Sequence, residues 1–377
     1  MKIVCIGGGP AGLYFALLMK KHDPSHEITV LERNAPGDTF GWGVVFSDKT
    51  LSYVRDTDEE TYREITRNFA MWDNVDVVHR DERVTIRGNK FSGIARLKLL
   101  NLLQERGRAL GVDLRFGVNA TDPDEFVNYD LIVGADGVNS MVRGRFAKAF
   151  APSLSERPNK YIWYGTHQLF HGLTLTFRAT EAGVFAAHSY KFDTETSTFI
   201  VECDAETWAR AGCAKMTGAQ TRAYLEEVFA RDLGGHALLS NNSKWINFLL
   251  VKNLRWYHGN VVLLGDALHT AHFSIGSGTK LALEDAIALY RCCAANEQVE
   301  AALREFERVR KPVIEEYQQA AYESLIWFEH AKDYMHLDPV RFAYSLMTRS
   351  KKINYENLKR RDPEFIAAYE AAITSRS

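Results

Sequence analysis

The chain has 377 residues, 46% apolar and 25% charged, with a net charge of −2. That length predicts two or three domains, and the near-neutral balance excludes a global field drawing in nucleic acid or a membrane surface. The five cysteines form no C-x-x-C pair, which argues against a disulfide framework and a zinc site and fits a reducing cytoplasm; no signal peptide precedes the first strand and no apolar run is long enough to span a bilayer.

Lys2–Ile6 reads as a buried strand, followed by Gly7, Gly9 and Gly12 in the G-x-G-x-x-G spacing of a dinucleotide fold. Gly7 allows the sharp turn, Gly9 lets backbone approach a pyrophosphate, and Gly12 lets the next helix pack against the strand. That helix, Pro10 to about Lys21, points N–H groups at the phosphate, and Asp23-Pro24 ends it. A second strand, Ile28–Glu32, ends in an acid twenty positions after Gly12, where a carboxylate grips the adenosine ribose. The motif alone leaves FAD and NAD open. Phe40 to Asp48 places two glycines around Trp42 before an apolar run, which reads either as backbone packed on something flat or as a core strand with a turn.

Residues 49–72 read as helical. Val75–His79 and Glu82–Ile86 read as paired strands, and Phe91–Arg96 leads into a helix from Leu97 ending near Gly111, then a strand over Val112–Phe116. Arg96 at that helix mouth can hold phosphate oxygens or can be a solvated first-turn residue. Tyr129–Ser140 is a second signal, an apolar strand ending in Gly134-Ala-Asp-Gly137. An aspartate at a strand's carboxyl end is where ligands bind in open α/β sheets.

From Asn159 the texture changes. Tyr161–Gly165, Leu173–Arg178, Gly183–Tyr190 and Ser197–Glu202 read as a mostly antiparallel sheet, one face of which can floor a pocket. A helix over Thr217–Asp232 follows. The third signal is the strand from Asn260 to Gly265-Asp266, then a loop with His269, His272, Gly276 and Gly278, then a helix from about Thr279. The two histidines lack a third ligand in register, so no metal site is expected. The remainder reads as helical to the end, Glu300–Gln319 being amphipathic with Pro312 kinking or dividing it. The basic tail (Arg349, Lys351, Lys352, Lys359, Arg360, Arg361) reads as a solvated face or as a contact for an anionic substrate tail.

In this order the three motifs, Gly7–Gly12, Gly134–Gly137 and Gly265-Asp266, resemble the class A flavoprotein aromatic hydroxylases of the p-hydroxybenzoate hydroxylase fold group. The resemblance covers nearly the whole chain. It implies an α/β fold, with an FAD-binding Rossmann-like domain of glutathione-reductase type, an inserted mostly antiparallel β-sheet substrate domain and a C-terminal helical region. The expected division is FAD-binding 1–72, 91–158 and 259–290, substrate-domain 73–90 and 159–258, and helical 291–377. The implied cofactor is FAD with NADH or NADPH as co-substrate. The implied chemistry is ring hydroxylation with O2 through a flavin C4a-hydroperoxide.

Carried over by motif, the cofactor-binding set is Gly7, Gly9, Pro10, Ala11, Gly12, Glu32, Arg33, Trp42, Val45, Arg96, Asp136, Gly265, Asp266, Gly276 and Gly278. Two departures alter the active-site wall: Phe273, preceded by His272, replaces a proline, and Ser277 replaces the glutamine of Gly-x-Gln-Gly. Gly41–Val45, Asn159–Thr166, Ser197–Cys203 and His272–Gly276 look closer to a subgroup acting on salicylyl-CoA, on 2-aminobenzoyl-CoA or on a tryptophan-derived violacein intermediate. Ile353–Pro363 looks more like the CoA-thioester members, and the length leaves no room for the reductase half of the aminobenzoyl-CoA enzyme. The expectation is therefore hydroxylation of an aromatic CoA thioester, salicylyl-CoA to gentisyl-CoA. The alternatives are a hydroxylase of a free or tryptophan-derived aromatic substrate, and a non-hydroxylating flavin- or NAD-binding protein. His188, Tyr190, Tyr164, His167, His269 and His272 are the candidate catalytic groups, each also readable as ordinary packing. Phe46, Trp163 and Phe273 are candidate pocket walls, and Lys351, Lys352, Arg360 and Arg361 are candidate contacts for CoA phosphates. A monomer or homodimer, without nucleic-acid or membrane partners, is expected.

Overall fold

The computed structural model of the chain describes residues 1–39, 41–276 and 278–374. Phe40, Ser277 and residues 375–377 lie outside the described residues. Three β-branched, apolar strands make the centre of a six-stranded sheet. Its order is Tyr257–His258, Val261–Leu263, Leu131–Gly134, Lys2–Ile6, Glu27–Glu32 and Asp113–Phe116. All its pairings are parallel except the terminal Tyr257–His258 hairpin. Helices Pro10–His22, Arg96–Leu110 and Gly278–Ala295 cover it, and Leu13, Phe15, Leu17, Leu99, Leu103, Leu283 and Leu289 enter one core with its strands. Sheets buried on both faces read as unbroken apolar runs, as Ile3-Val-Cys-Ile6 does.

Register decides the site. Ile6 pairs with Gly134 and Gly134 with Leu263, so three strands end level. The three glycine-bearing loops therefore emerge side by side at the carboxyl edge. Gly7 turns there at φ 115°, and a Cβ on it would lie 2.1 Å from the Ala135 carbonyl oxygen. Gly12 is under similar pressure, since its Cβ would lie 2.2 Å from the Gly7 oxygen.

The second sheet contains Glu82–Ile86, Val75–His79, Leu173–Thr180, Gly183–Lys191, Ser197–Cys203, Pro152–Thr166 and Leu238–Ser240, and Ile246–Asn253 joins on Pro152–Thr166. Only the Val75–His79 pairing with Leu173–Thr180 is parallel. A third, three-stranded antiparallel sheet, Gly43–Phe46, Phe91–Ala95 and Ala70–Trp72, bridges the other two. The Gly43 N–H donates to Thr198 Oγ1 at 2.9 Å, and the Tyr190 hydroxyl donates to the Gly43 carbonyl at 2.9 Å.

Three expectations change. Residues 49–72 are two helices, Asp48–Thr57 and Glu59–Thr66, followed by a strand, because Trp72 pairs with Phe91 across the bridging sheet. The first strand of the large sheet starts at Pro152, paired with Ile246–Asn253 around an irregularity between Glu156 and Lys160. Pro312 divides nothing: Val299–Glu329 is one helix. The ring of Pro312 is exposed while Phe306, Arg310, Ile314 and Gln318 are buried, so the missing N–H and local bend fall on the solvent side and packing on the other face outweighs the proline penalty. Among the described residues no helix is long and apolar enough to cross a membrane.

Gly7→Ala is expected to destabilise the chain by at least ~2 kcal/mol, because the strained φ and the backbone clash add. Gly144→Ala is the control: no atom lies within 4 Å of its Cβ position, and less unfolded-state freedom should leave it neutral or up to ~1 kcal/mol more stable. Urea unfolding midpoints of the two variants, with bound flavin per chain, check both outcomes.

Candidate active site

A cleft of about 550 Å³ lies between the carboxyl edge of the parallel sheet and one face of the antiparallel sheet. That volume suits a small-molecule site. At the parallel-sheet end it is lined by Gly9, Pro10, Ala11, Arg96, Gly265 and Asp266. Nothing lies within 4 Å of a Cβ position on Gly9, so the backbone there is open to a ligand. The start of helix Gly278–Ala295 also lines the cleft, with Gly276, Gly278 and Thr279.

Arg96 is the first residue of its helix, held by its N–H donating to the Trp42 carbonyl at 2.8 Å. Its guanidinium and the Asp266 carboxylate both face the cleft, and among the described residues neither has a side-chain hydrogen bond. Asp266 has open accessible surface, but on the cleft floor with protein on the other sides. Desolvation therefore raises its pKa, against the pull of Arg96 and His269. Desolvation likewise lowers that of Arg96, against the pull of Asp266. An unpaired cation, an unpaired carboxylate and two helix N-termini in one cleft fit a dinucleotide with phosphates at one place and polyol hydroxyls at another. The residues present thus fit FAD.

Other members of the cofactor set lie beside the cleft, not on its wall. Both oxygens of Glu32 are engaged, Oε2 by Gly8 N–H at 2.9 Å and Oε1 by Asn34 N–H at 2.8 Å. Arg33 is exposed. Asp136 caps the helix Met141–Arg145, accepting from Ser140 Oγ at 2.5 Å and from Met141 N–H at 2.7 Å. It is a loop-forming residue here because short loops after a strand leave helix N–H groups that a carboxylate satisfies. Trp42 is turned onto Gly165, where a Cβ would come within 2.6 Å of its ring. Val45 does line the cleft.

The opposite wall follows strand alternation. Tyr161 and Trp163, Leu173 and Leu175, His188 and Tyr190, and Ile200 all face in. Tyr164 faces out, buried with Phe199, Leu225 and Phe229 on the far side of the sheet, so it is not a cleft group. His167, past the strand end, pairs with the Glu195 carbonyl at 3.1 Å and is also outside. The Tyr190 hydroxyl is occupied by Gly43, and its ring stacks on Trp72 at 5.8 Å. Phe46 packs on Phe69, away from the cleft. Trp163 and Phe273 are walls, and Tyr161 packs on Phe273 at 4.7 Å. Tyr161 was legible from Trp163 by counting two back.

His188 is 4% exposed, and its Nε2 meets Glu202 Oε2 at 3.2 Å. Glu202, 2% exposed, also accepts from Asn159 Nδ2 at 2.8 Å, and its side-chain partners hold its carboxyl below the usual range despite burial. His272 is buried behind Phe273, with Nδ1 2.8 Å from Ser274 Oγ; burial pushes its pKa down to about 4. His269 is also off the cleft wall: its Nε2 meets Asp285 Oδ2 at 2.7 Å, beneath helix Gly278–Ala295. Arg349, absent from the expected set, lines the cleft, and burial lowers its pKa to about 10.

Of the tail cations, Lys352 lines the cleft mouth beside Ser350 and Ile353 but is paired with Glu316. Lys351 is paired with Glu323 at 3.1 Å, and Arg361 with Asn89 Oδ1 at 3.1 Å. Arg360 is exposed and does not line the cleft.

A family model for the FAD binding domain matches residues 1–321. Salicyloyl-CoA 5-hydroxylase from a Streptomyces species is 44% identical, the match covering 93% of this chain and 70% of that protein. Protodeoxyviolaceinate monooxygenase from Chromobacterium violaceum is 37% identical over 94% of this chain and 95% of that protein. The crystal structure of a 2-methyl-3-hydroxypyridine-5-carboxylic acid oxygenase variant shares the fold, with a TM-score of 0.74 at 18% identity, covering 96% of this chain and 98% of that one.

His272 makes a pH prediction. Its ordinary pKa of 6.5 falls to about 4 in the fold. Between those values the unfolded chain binds a proton that the folded chain does not, so stability falls as pH drops through that window, by roughly 3 kcal/mol in all. His272→Asn is expected to flatten the acid limb between pH 6.5 and 4, as measured by urea unfolding at stepped pH; His26 and His79, whose pKa values are also lowered by burial, are common to both proteins.

Proposed function

The chain belongs to the FAD-binding-domain family and is an FAD-dependent aromatic monooxygenase, and from that premise we propose that it hydroxylates the ring of an aromatic acyl-CoA thioester, salicylyl-CoA at position 5 giving gentisyl-CoA. The observation that carries this reading is His188, backed by a buried carboxylate, on the apolar cleft wall facing the Arg96–Asp266 end. Bound FAD supplies the redox chemistry, taking electrons from NADH or NADPH and passing one oxygen atom of O2 to the ring.

The protein's part is binding, orientation and proton handling. Arg96 and the starts of helices Pro10–His22 and Gly278–Ala295 would hold the cofactor phosphates, and Asp266 would accept from its hydroxyls. Tyr161, Trp163, Leu175, Ile200 and Phe273 exclude water around the substrate ring. His188 Nδ1 accepts the proton of the ring hydroxyl, which increases electron density at the para carbon, position 5 of a salicylyl group. The thioester chain leaves past Ser350–Ile353, where Lys352 lines the cleft and Arg361 bonds Asn89, another lining residue, and both would exchange these partners for phosphate. The five free cysteines, four of them buried, support a reducing compartment, the cytoplasm, for this activity.

One observation favours a second reading. Lys351 and Lys352 are already neutralised by Glu323 and Glu316, which suits a free or tryptophan-derived aromatic substrate without phosphates.

Two measurements test these readings. Following NAD(P)H oxidation and product mass with salicylyl-CoA, 2-aminobenzoyl-CoA, salicylate and tryptophan, salicylyl-CoA is expected to gain one oxygen; no gain on any thioester sinks the main reading. Arg96→Gln is expected to weaken FAD by at least ~10-fold, the worth of a charge-assisted hydrogen bond, as read by flavin fluorescence during reconstitution of apoprotein.

A further inference from the structure

Behind the substrate wall a line of hydrogen-bonding groups runs from Arg349 to Glu202, and the direction of each bond can be assigned. The Ser274 backbone N–H donates to His272 Nδ1 at 3.4 Å, so that nitrogen carries a lone pair. Ser274 Oγ, 2.8 Å from the same nitrogen, must then donate its own hydrogen to it. Ser274 Oγ accordingly accepts from Ser324 Oγ at 2.7 Å, and Ser324 accepts from Arg349 Nε at 2.8 Å. A neutral His272 with a bare Nδ1 carries its proton on Nε2, which faces Glu202 Oε1 at 3.8 Å. Asn159 Nδ2 donates to Glu202 as well. Both of these groups therefore present hydrogens to Glu202.

An ionised carboxylate only accepts. The remaining contact, His188 Nε2 at 3.2 Å, must therefore carry its proton on Nε2. His188 Nδ1 is then the bare nitrogen; it has no hydrogen bond among the described residues, and its ring lines the cleft. We infer that Glu202 is a positioning residue: it locks His188 in the Nε2–H tautomer, turns the Nδ1 lone pair to the substrate hydroxyl, and balances the imidazolium formed when the proton arrives. This rests on the reading of His188 as the base. In the step the substrate O–H bond breaks, its electron pair stays on oxygen, and a new N–H bond forms at Nδ1. The other groups around His188 are Phe273 on the loop and Phe328 on the long helix, which touch its ring, with His272 and Tyr161, the latter two strands away, packed on Phe273 and Arg349 packed on Phe328. Tyr161 is kept protonated by burial and the nearby carboxylates; the hydrogen bond to Glu329 raises the pKa of Arg157, and burial lowers that of Arg349 to about 10.

The test is Glu202→Gln in the holoenzyme. A glutamine amide can donate to Nε2, which frees Nδ1 to carry the hydrogen and removes the base. The ionisation of bound salicylyl-CoA, read from its ultraviolet spectrum across pH, is expected to shift upward by at least one pH unit. Hydroxylation should fall by ~10²-fold, the usual worth of a positioned base, with KM within about threefold if only proton transfer is lost. An unshifted ionisation curve in Glu202→Gln, with His188→Gln shifted, overturns the role of Glu202 and leaves that of His188. Unshifted curves in both variants overturn the reading of His188 itself. Where the Glu202 variant does not fold or the thioester does not bind, nitrogen-15 histidine spectra of the unaltered holoenzyme decide: the Nε2–H tautomer at His188 supports the inference, and the Nδ1–H tautomer overturns it.

Discussion

The site depends on one register: Ile6 opposite Gly134 and Gly134 opposite Leu263. Parallel strands ending level deliver their loops to one edge, and helix N-termini follow from those loops. A register slip on either pairing would carry Asp266 or the Ala135 turn away from Gly7. The contact is tight enough that Gly7 and Gly12 have no room for a side chain. The dinucleotide end of the cleft is thus a consequence of backbone pairing, with Arg96 and Asp266 added as charge.

The second constraint is the bridge. Gly43–Phe46 belongs to neither large sheet, yet its first residue hydrogen-bonds Thr198 and Tyr190 of the antiparallel sheet while Arg96 follows directly from its partner strand. The same three-stranded unit therefore sets where the phosphate-facing arginine stands and where the substrate wall stands. Ring hydroxylation needs a fixed separation between cofactor and substrate, and here two buried hydrogen bonds and close glycine backbone contacts fix it.

Charge is distributed to match. At the cofactor end the side chains of Arg96 and Asp266 have no hydrogen-bond partner among the described residues. At the substrate end Glu202 is surrounded by donors and is itself screened from the cleft by His188 and Phe273. A buried carboxylate without donors would be costly and would protonate; with Asn159 and His188 in contact its pKa falls instead.

The sequence by itself determined the parallel sheet, its three loops and the antiparallel sheet, and the resemblance its motifs carry implied the kind of cofactor. Spacing and apolar runs are local, and the glycine positions follow from backbone sterics that a one-dimensional pattern records. Trp163, His188, Phe273, Arg96 and Asp266 were readable on the same footing. The tertiary structure alone decided what each polar group faces. Asp136 is taken by a helix start, His269 by Asp285 and the Tyr190 hydroxyl by Gly43, pairings that link distant or unmarked positions. Tyr164, a candidate catalytic group by residue type, lies on the far face, and alternation from Trp163 points to Tyr161 instead. Glu202 carried no local signal, and Arg349 stood out only as one of a basic tail, because a carboxylate in a strand and an arginine among other cations look solvated until packing encloses them.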